Sequence, residues 1–543
     1  MLIAALLSSY WIFTKLLQPI SSFYKDYEAE ILYFMNSLAV FKGGSYYYLD
    51  HPGTPIEILG SLVLGVFYLF SGKSVEAFVQ AQLLNPEPFF VAVHIILTAA
   101  SIYVALFLFD TALSISSQDK SDLFFAAAIS LLYFAIHPLS FSTLTLWHHA
   151  SFNFPFGTLY LAALLRLSQT DREIPLSAII ILGLGAGILA ATMIYFAAWT
   201  IGAIVFIAIS YYIRKVGTPK IIIVTCTLAG FSFLGFILAL LPAVKRVSYF
   251  VDWITGLILH QGMYGGGASG IVALPTLWVN FLDMVSSLPA FSIFVFSVLI
   301  LFVYAIIKNK KRVNEISGMW ALAVALAVQI LILLALNLKH PGSKAFFVNR
   351  YLLPTAATIP ILTLLVIQLI KTSPALQVWA KRAVILFVFA GSLYLLPGSM
   401  MEHRIKSEVI ASSVEKSNQI ISDFSKEKKL PIEQINVLWT YETFADCYSL
   451  WFGNEMSGIV FSPEVKNICN QQNALNIWNL GVIAGDEFVG VETVKWDLIF
   501  TRKLLLGEYP FLAKMGRVDE YLQPSSNFDG FGSFIVIYNE ETK

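Results

Sequence analysis

Apolar stretches of about 20 residues recur along this sequence, and they constrain its fold more than any other feature. A hydrocarbon core about 30 Å thick is crossed by roughly 20 residues of helix rising about 1.5 Å each. By that measure, eleven spans are predicted, near residues 2–20, 88–110, 122–140, 154–168, 175–193, 195–213, 220–243, 287–307, 317–337, 351–370 and 382–398. Composition agrees: 57% of the 543 residues are hydrophobic and 13% are charged, with a mean hydropathy of +0.72. A soluble domain has roughly 45–50% apolar and about 25% charged residues. The expected fold class is a polytopic α-helical membrane protein.

Residues 2–20 carry no charged leader and no small-residue cleavage site before Lys25, so they read as a first span rather than a signal peptide. Basic residues in short loops mark the cytoplasmic side. With a cytoplasmic N-terminus, those loops hold Lys120, Arg166, Arg172, Arg214, Lys215, Lys220, Lys308 to Arg312, Lys371, Lys381 and Arg382. The other side receives only Lys245, Arg246, Lys339, Lys344 and Arg350 in its later loops. Residues 55–71 are apolar but short, and a crossing there would reverse every later loop. They are therefore expected to lie in the outer interface, as are residues 27–42. The first outer loop then runs from about 21 to 87 with two membrane-parallel helices. Three more outer segments follow: Thr143–Phe156, the glycine-rich Lys245–Ser287, and Asn337–Pro354. The expectation is a multi-pass protein of the plasma or inner membrane.

Near residue 400 the composition turns polar, which divides the chain into a membrane module, 1–400, and a C-terminal domain, 401–543. A helix is predicted over 404–427. Strands are predicted at Ile435–Tyr441, Trp496–Thr501 and Phe534–Tyr538, with helices near 443–453 and 463–472 between them. This is a small α/β domain, and eleven crossings put it outside. Cys226 lies in an apolar run and reads as core. Cys447 and Cys469 could pair if their region is exported. Lys+Arg equals Asp+Glu at 35 each, and no basic tract suggests nucleic acid.

The chemistry is concentrated between Phe23 and Pro55, which carries Asp26, Glu28, Glu30, Asp50 and His51 just after the first apolar stretch. Carboxylates are costly near a bilayer, so a cluster there marks a candidate site. A carboxylate half-buried at an interface has a raised pKa and can act as a general base near neutrality. Asp26 would also suit a helix start as a plain N-cap. Glu30 falls four residues on, on the same helix face, while Glu28 points elsewhere, toward a basic residue or a metal. Asp26 and Glu28 are the catalytic candidates.

A sugar on a lipid phosphate already carries a leaving group at its anomeric carbon. Its transfer needs one base for the acceptor hydroxyl and cations for the phosphate, like half of an inverting glycosidase. Lys339, Lys344 and Arg350 are the candidate cations; interfacial snorkelling or anchoring would explain them too. His51 either bonds substrate, shares a metal with Asp50, or closes the turn before Pro52. One Asp-His pair falls short of a metal's usual ligand count. His148 and His149 are neighbours and cannot both face one ion from a helix. One of them is expected to enter the cavity, with Asn153 bonding sugar or phosphate. No cofactor is certain, and a divalent metal ion stays open.

These residues resemble a known pattern. A first span, Asp-x-Glu at 26–28, Gly-Gly-x-Tyr-Tyr at 43–47 and His-Pro-x-x-Pro at 51–55 are similar to the GT-C glycosyltransferases, notably protein O-mannosyltransferases and bacterial aminoarabinose transferases. The resemblance implies a catalytic aspartate at Asp26, membrane-parallel helices in the first outer loop, and a polyprenyl- or dolichyl-phosphate-sugar donor. It matches His51 and Pro52 to the family's His-Pro, and Arg350 with Tyr351 to a late Arg-Tyr-Leu-x-Pro element. It also implies an outer C-terminal domain. The sequence departs where Tyr27 separates Asp26 from Glu28, where Gly53 replaces a second proline, and where His148, His149 and Asn153 replace Arg and Asp. These departures bear on the donor sugar and the acceptor.

The function expected is an integral-membrane inverting glycosyltransferase. It moves a sugar from a polyprenyl-phosphate donor to a hydroxyl on a lipid, glycan or protein at the outer face. A transporter or flippase of lipid-linked sugars is the alternative; it would favour charges deep within spans and repeated halves, and neither is apparent. A third reading is a non-catalytic scaffold, in which Asp26 would be dispensable.

Overall fold

The computed structural model describes residues 2–16, 30–44, 53–115, 120–170, 173–259, 274–309, 317–339, 350–440, 450, 453–454, 457–458, 460–469, 475–477, 497–501, 516–521 and 534–539. The first helices are α1 (Leu2–Leu16), α2 (Glu30–Phe41), α3 (Thr54–Ser71), α4 (Val75–Leu84) and α5 (Glu87–Ile115). Next come α6 (Lys120–Ile136), α7 (Thr158–Ser168), α8 (Leu176–Thr192), α9 (Ala197–Ile213) and α10 (Thr218–Leu240). Then follow α11 (Val247–Leu259), α12 (Leu274–Ser287), α13 (Pro289–Asn309), α14 (Ser317–Leu338), α15 (Leu353–Leu369) and α16 (Pro374–Lys428). The C-terminal part adds β1 (Val437–Thr440), α17 (Ser462–Cys469), β2 (Leu475–Ile477), β3 (Leu498–Thr501), β4 (Gly516–Tyr521) and β5 (Phe534–Asn539).

This is a multi-pass integral membrane protein. Among the described residues, eight helices are long and apolar enough to cross a bilayer, or nine if one bent pair counts as a single span. The expected number was eleven. Each predicted span contains a helix among the described residues, but four of them are too short or too sharply bent to pass as one straight crossing. The helix α6 ends at His137, whose extended backbone precedes Pro138, and the chain turns there by 101°. Pro155 sits in a π-helical turn, Asn153–Gly157, so α7 starts late and has 11 residues. The helices α1 and α8 have 15 and 17 residues. Met193, extended at φ −155°, separates α8 from α9 at the expected break. Conversely, α3, expected to lie along the interface, meets the length and composition of a span.

Two other expectations are corrected, and a third, the helix over 404–427, forms as part of a longer one. The long segment 245–287 is not a loop at its described ends but the amphipathic helices α11 and α12. The helix predicted over 404–427 is the second half of α16, which runs unbroken for 55 residues through Pro397 and Gly398. Cys226 is not core; it is an exposed position on α10.

The chain forms two compact units, and their boundary falls within α1, α3, α5 and α16. Unit 1 comprises residues 1–12, 49–58 and 93–400. Its centre is α15, buried along almost its whole length, with α6, α7, α13 and α14 packed around it. Close approach is achieved with glycine, as is common where lipid offers no hydrophobic drive. A Cβ on Gly187 of α8 would overlap the Ser232 carbonyl of α10, and one on Gly318 of α14 would overlap the Ser168 carbonyl of α7. Outward positions such as Ile222, Phe233, Ile293 and Ile307 remain exposed and apolar, as lipid-facing positions should.

Unit 2 comprises residues 13–48, 59–92 and 401–543. It therefore joins α2 and α4 with the C-terminal sheet. The Ser37 side chain fills the space that a Cβ on Gly60 would need, and Phe41 meets Tyr68 with ring centroids 5.4 Å apart. The sheet order is β2-β1-β3-β5-β4, with β1 parallel to β2 and β3, and β5 antiparallel to β3 and β4. Of the predicted strands, all three form. The strand β2 has three residues, and β4 (Gly-Arg-Val-Asp-Glu-Tyr) is an exposed, charged edge without a buried-strand pattern. Residues 443–449, 451 and 452 of the helix predicted at 443–453 lie outside the described residues, while α17 occupies the other predicted site.

Candidate functional site at one end of the helical unit

Contacts among the described residues sort the helix ends of unit 1 into two sets. One set is basic. Lys381 at the start of α16 pairs with Asp122 at the start of α6. Arg214 donates to the Thr170 carbonyl, and Lys220 pairs with Glu173 at 2.6 Å. Asn309 donates to the Leu369 carbonyl at 2.7 Å, bringing the ends of α13 and α15 together.

The other set is polar and mostly uncharged. Asn337 Nδ2, at the end of α14, donates to the Tyr351 carbonyl at 3.1 Å. Tyr351 lies in the 3-10 turn Arg350–Leu352, and its ring centroid is 5.5 Å from that of Tyr195 in the turn before α9. Asn280 of α12 donates to the Leu338 carbonyl at 3.0 Å. Thr158 Oγ1 donates to the Ala357 carbonyl at 3.3 Å, and Trp199 Nε1 to the Gly157 carbonyl at 3.1 Å. The segment 137–157 thus packs beside the start of α15.

That segment is built from short turns. His137 Nδ1 accepts from the Leu139 N–H, and His148 Nδ1 from the Ala150 N–H, at 3.2 and 2.9 Å. Each ring caps a 3-10 turn, as Asn or Asp commonly does. An accepting Nδ1 places the neutral ring's proton on Nε2. His148 therefore has a local structural task that the sequence did not reveal. His149 is buried, and its ring centroid lies 5.3 Å from that of His148. Asn153 is wholly buried; its Nδ2 donates to the Ala150 carbonyl, while Oδ1 has no partner among the described residues.

Lys339 directly follows α14 and is 8% exposed. Burial holds its ammonium below the ordinary lysine range. Asn337 Oδ1 is likewise buried without a partner among the described residues. This end of unit 1 thus offers two buried amide oxygens, a desolvated ammonium and two tyrosine rings. The oxygens suit hydroxyl donors, and the ammonium suits an anion.

Of the remaining candidates, Asp26, Glu28, Asp50, His51 and Lys344 lie outside the described residues. Arg350 is described only as the first position of its turn. Two buried carboxylates begin helices instead: Glu30 in α2 and Glu57 in α3, each fully buried. Neither oxygen of Glu57 has a partner among the described residues. The apolar run around Glu57 concealed it, and only its charge inside that run signalled it. Among the described residues, no three His, Cys, Asp or Glu side chains come together to hold a metal ion.

Among solved structures, the chain is similar to ArnT from Cupriavidus metallidurans bound to undecaprenyl phosphate. The TM-score is 0.51 at 11% identity, covering 100% of this chain and 98% of that one. Archaeal oligosaccharyltransferase structures from Archaeoglobus fulgidus are more distant. AglB with an inhibitory peptide and a dolichol-phosphate has a TM-score of 0.43 at 10% identity over 100% of this chain and 75% of that one. The complex with zinc and sulfate has a TM-score of 0.44 at 12% identity over 95% and 72%. No family model and no curated protein matches the chain. The chain has the GT-C-like fold of ArnT.

Proposed function

From that fold, we propose that the chain is a membrane glycosyltransferase that takes a sugar from a polyprenyl-phosphate donor and transfers it, with inversion, to an acceptor hydroxyl. The observation that carries this reading is the end-to-end likeness to ArnT, a structure that holds undecaprenyl phosphate. The polar end of unit 1 supports it, because a lipid-phosphate sugar needs both hydroxyl partners and a cation.

In this reading Asp26 takes the proton of the acceptor hydroxyl, and Glu28 assists. The freed oxygen attacks the anomeric carbon as its bond to the phosphate oxygen breaks, and polyprenyl phosphate departs. Lys339, Lys344 and Arg350 hold that phosphate. Tyr351, Asn153, one of His148 and His149, Asp50 and His51 contact sugar or phosphate. The acceptor is a lipid, glycan or protein. The site faces away from the cytoplasm, because the opposite end carries the basic residues, and an extracytoplasmic C-terminal domain belongs to the same proposal. A divalent metal held by Glu28, or by Asp50 with His51, belongs to this proposal.

The test is transfer of labelled sugar from synthetic polyprenyl-phosphate donors by membranes containing the protein. Transfer that Asp26→Asn abolishes supports the reading. Full transfer by Asp26→Asn removes the proposed base. Movement of donor across vesicles with no transfer product points to a transporter.

A further inference from the structure

The C-terminal part of the chain does more than follow the membrane helices; it grips α2 at both ends. A short turn begins at Gly453 and is held by its own hydrogen bonds. The Ser457 N–H donates to the Gly453 carbonyl at 2.9 Å, the Phe461 N–H to Asn454 Oδ1 at 2.8 Å, and Asn454 Nδ2 to Ser462 Oγ at 3.0 Å. Asn454 and Ser457 are fully buried. Such satisfied buried polar groups fix a loop in one geometry.

This turn meets the first half of α2. A Cβ on Gly453 would come within 2.6 Å of Met35 Cγ and 2.7 Å of Ile31 Cγ1. Only glycine lets the backbone approach so closely without displacing those side chains. Eleven positions beyond Gly453, Glu464 of α17 pairs with Lys42, just past the other end of α2, at 3.1 Å. The Lys42 ammonium also lies 5.7 Å from the Phe461 ring centroid. The same helix, α17, packs on α4.

The residue before α2 is Ala29, and Glu28 and Asp26 precede it. We infer that Gly453, Asn454 and Glu464 form a positioning element for the proposed base: they fix α2, the helix that the carboxylate stretch leads into along the sequence. The inference rests on the glycosyltransferase reading and assigns the C-terminal domain a task within it. Gly453, Lys42 and Glu464 act through α2 rather than on substrate. A displacement of about 1 Å at a base can cost on the order of a hundredfold in rate.

Two complementation pairs test it. Gly453→Leu should lower kcat roughly 10- to 100-fold, leave the KM for the polyprenyl-phosphate donor unchanged, and recover when combined with Met35→Ala. Lys42→Glu and Glu464→Lys should each lower kcat about fivefold or less. The double exchange should restore it, and Lys42→Arg should behave as wild type. Wild-type kcat in Gly453→Leu overturns the inference. A loss that Met35→Ala leaves unrepaired, with the charge exchange also failing to restore activity, overturns it as well. Asp26→Asn is run in parallel: if that variant keeps full activity, the glycosyltransferase assignment of the base fails, whatever the α2 variants do.

Discussion

Asn337 donates to the Tyr351 carbonyl from 14 positions away, tying the last turn of α14 to the turn that opens α15. The same amide nitrogen also donates to the Leu333 carbonyl at 2.9 Å, so the side chain is held along its own helix as it reaches across. Asn337→Leu keeps the shape and deletes the donor. The Tyr351 carbonyl then loses this partner, at a cost of about 1–3 kcal/mol. The expected outcome is a lower melting temperature in detergent and weaker binding of polyprenyl phosphate.

Lys339 should give donor binding an alkaline limb. Burial lowers its pKa in the free protein, and a bound phosphate favours the charged form. As pH rises, the free protein loses this charge before an ordinary lysine with a pKa of about 10.4 would. Affinity for polyprenyl phosphate should therefore fall with rising pH, beginning below that value. Arginine stays charged, so Lys339→Arg should flatten the limb. Titrating binding against pH for both proteins checks this, and identical limbs would exclude Lys339 as the phosphate's partner.

Asp122 is 1% exposed on its side chain and Lys381 is 15% exposed. Removing either partner therefore has unequal consequences. Lys381→Met removes the ammonium from beside a carboxylate that stays buried, so stability should fall more than in the reverse deletion. Asp122→Asn leaves a lysine long enough to reach the interface and should cost less. Thermal melts of the two variants rank them, and an equal loss would contradict the asymmetry.

The assignment of sides predicts reporter behaviour. An enzyme active only outside the cytoplasm, fused after Leu338, should be active; fused after Thr372, it should be silent. The reverse pattern would put Lys339 and Tyr351 on the cytoplasmic face.

The sequence resolved the large elements well and the site only in part. Long, mostly apolar stretches such as 317–337 specify a helix whatever surrounds them, because lipid leaves backbone polar groups no other partner. Short continuous apolar runs rich in β-branched residues specified β3 and β5, while β4 carries Arg517, Asp519 and Glu520 and showed no such pattern. Lys339 and Asn153 were legible as polar residues at apolar ends. That His148 caps a turn was not, since a cap depends on the backbone two residues on. Nor was the burial of Glu57, which depends on what packs over the first turn of α3.

By itself, the sequence determined that this is a membrane protein, where most of its helices lie, and which of their ends are basic. Those properties follow from hydropathy and charge summed over neighbouring residues. The tertiary structure alone decided that α2 and α4 join the C-terminal sheet in one compact unit, and that Gly453 and Glu464 meet a helix more than 400 positions earlier. Such contacts depend on shape and on the path of the whole chain, and no local window of residues encodes them.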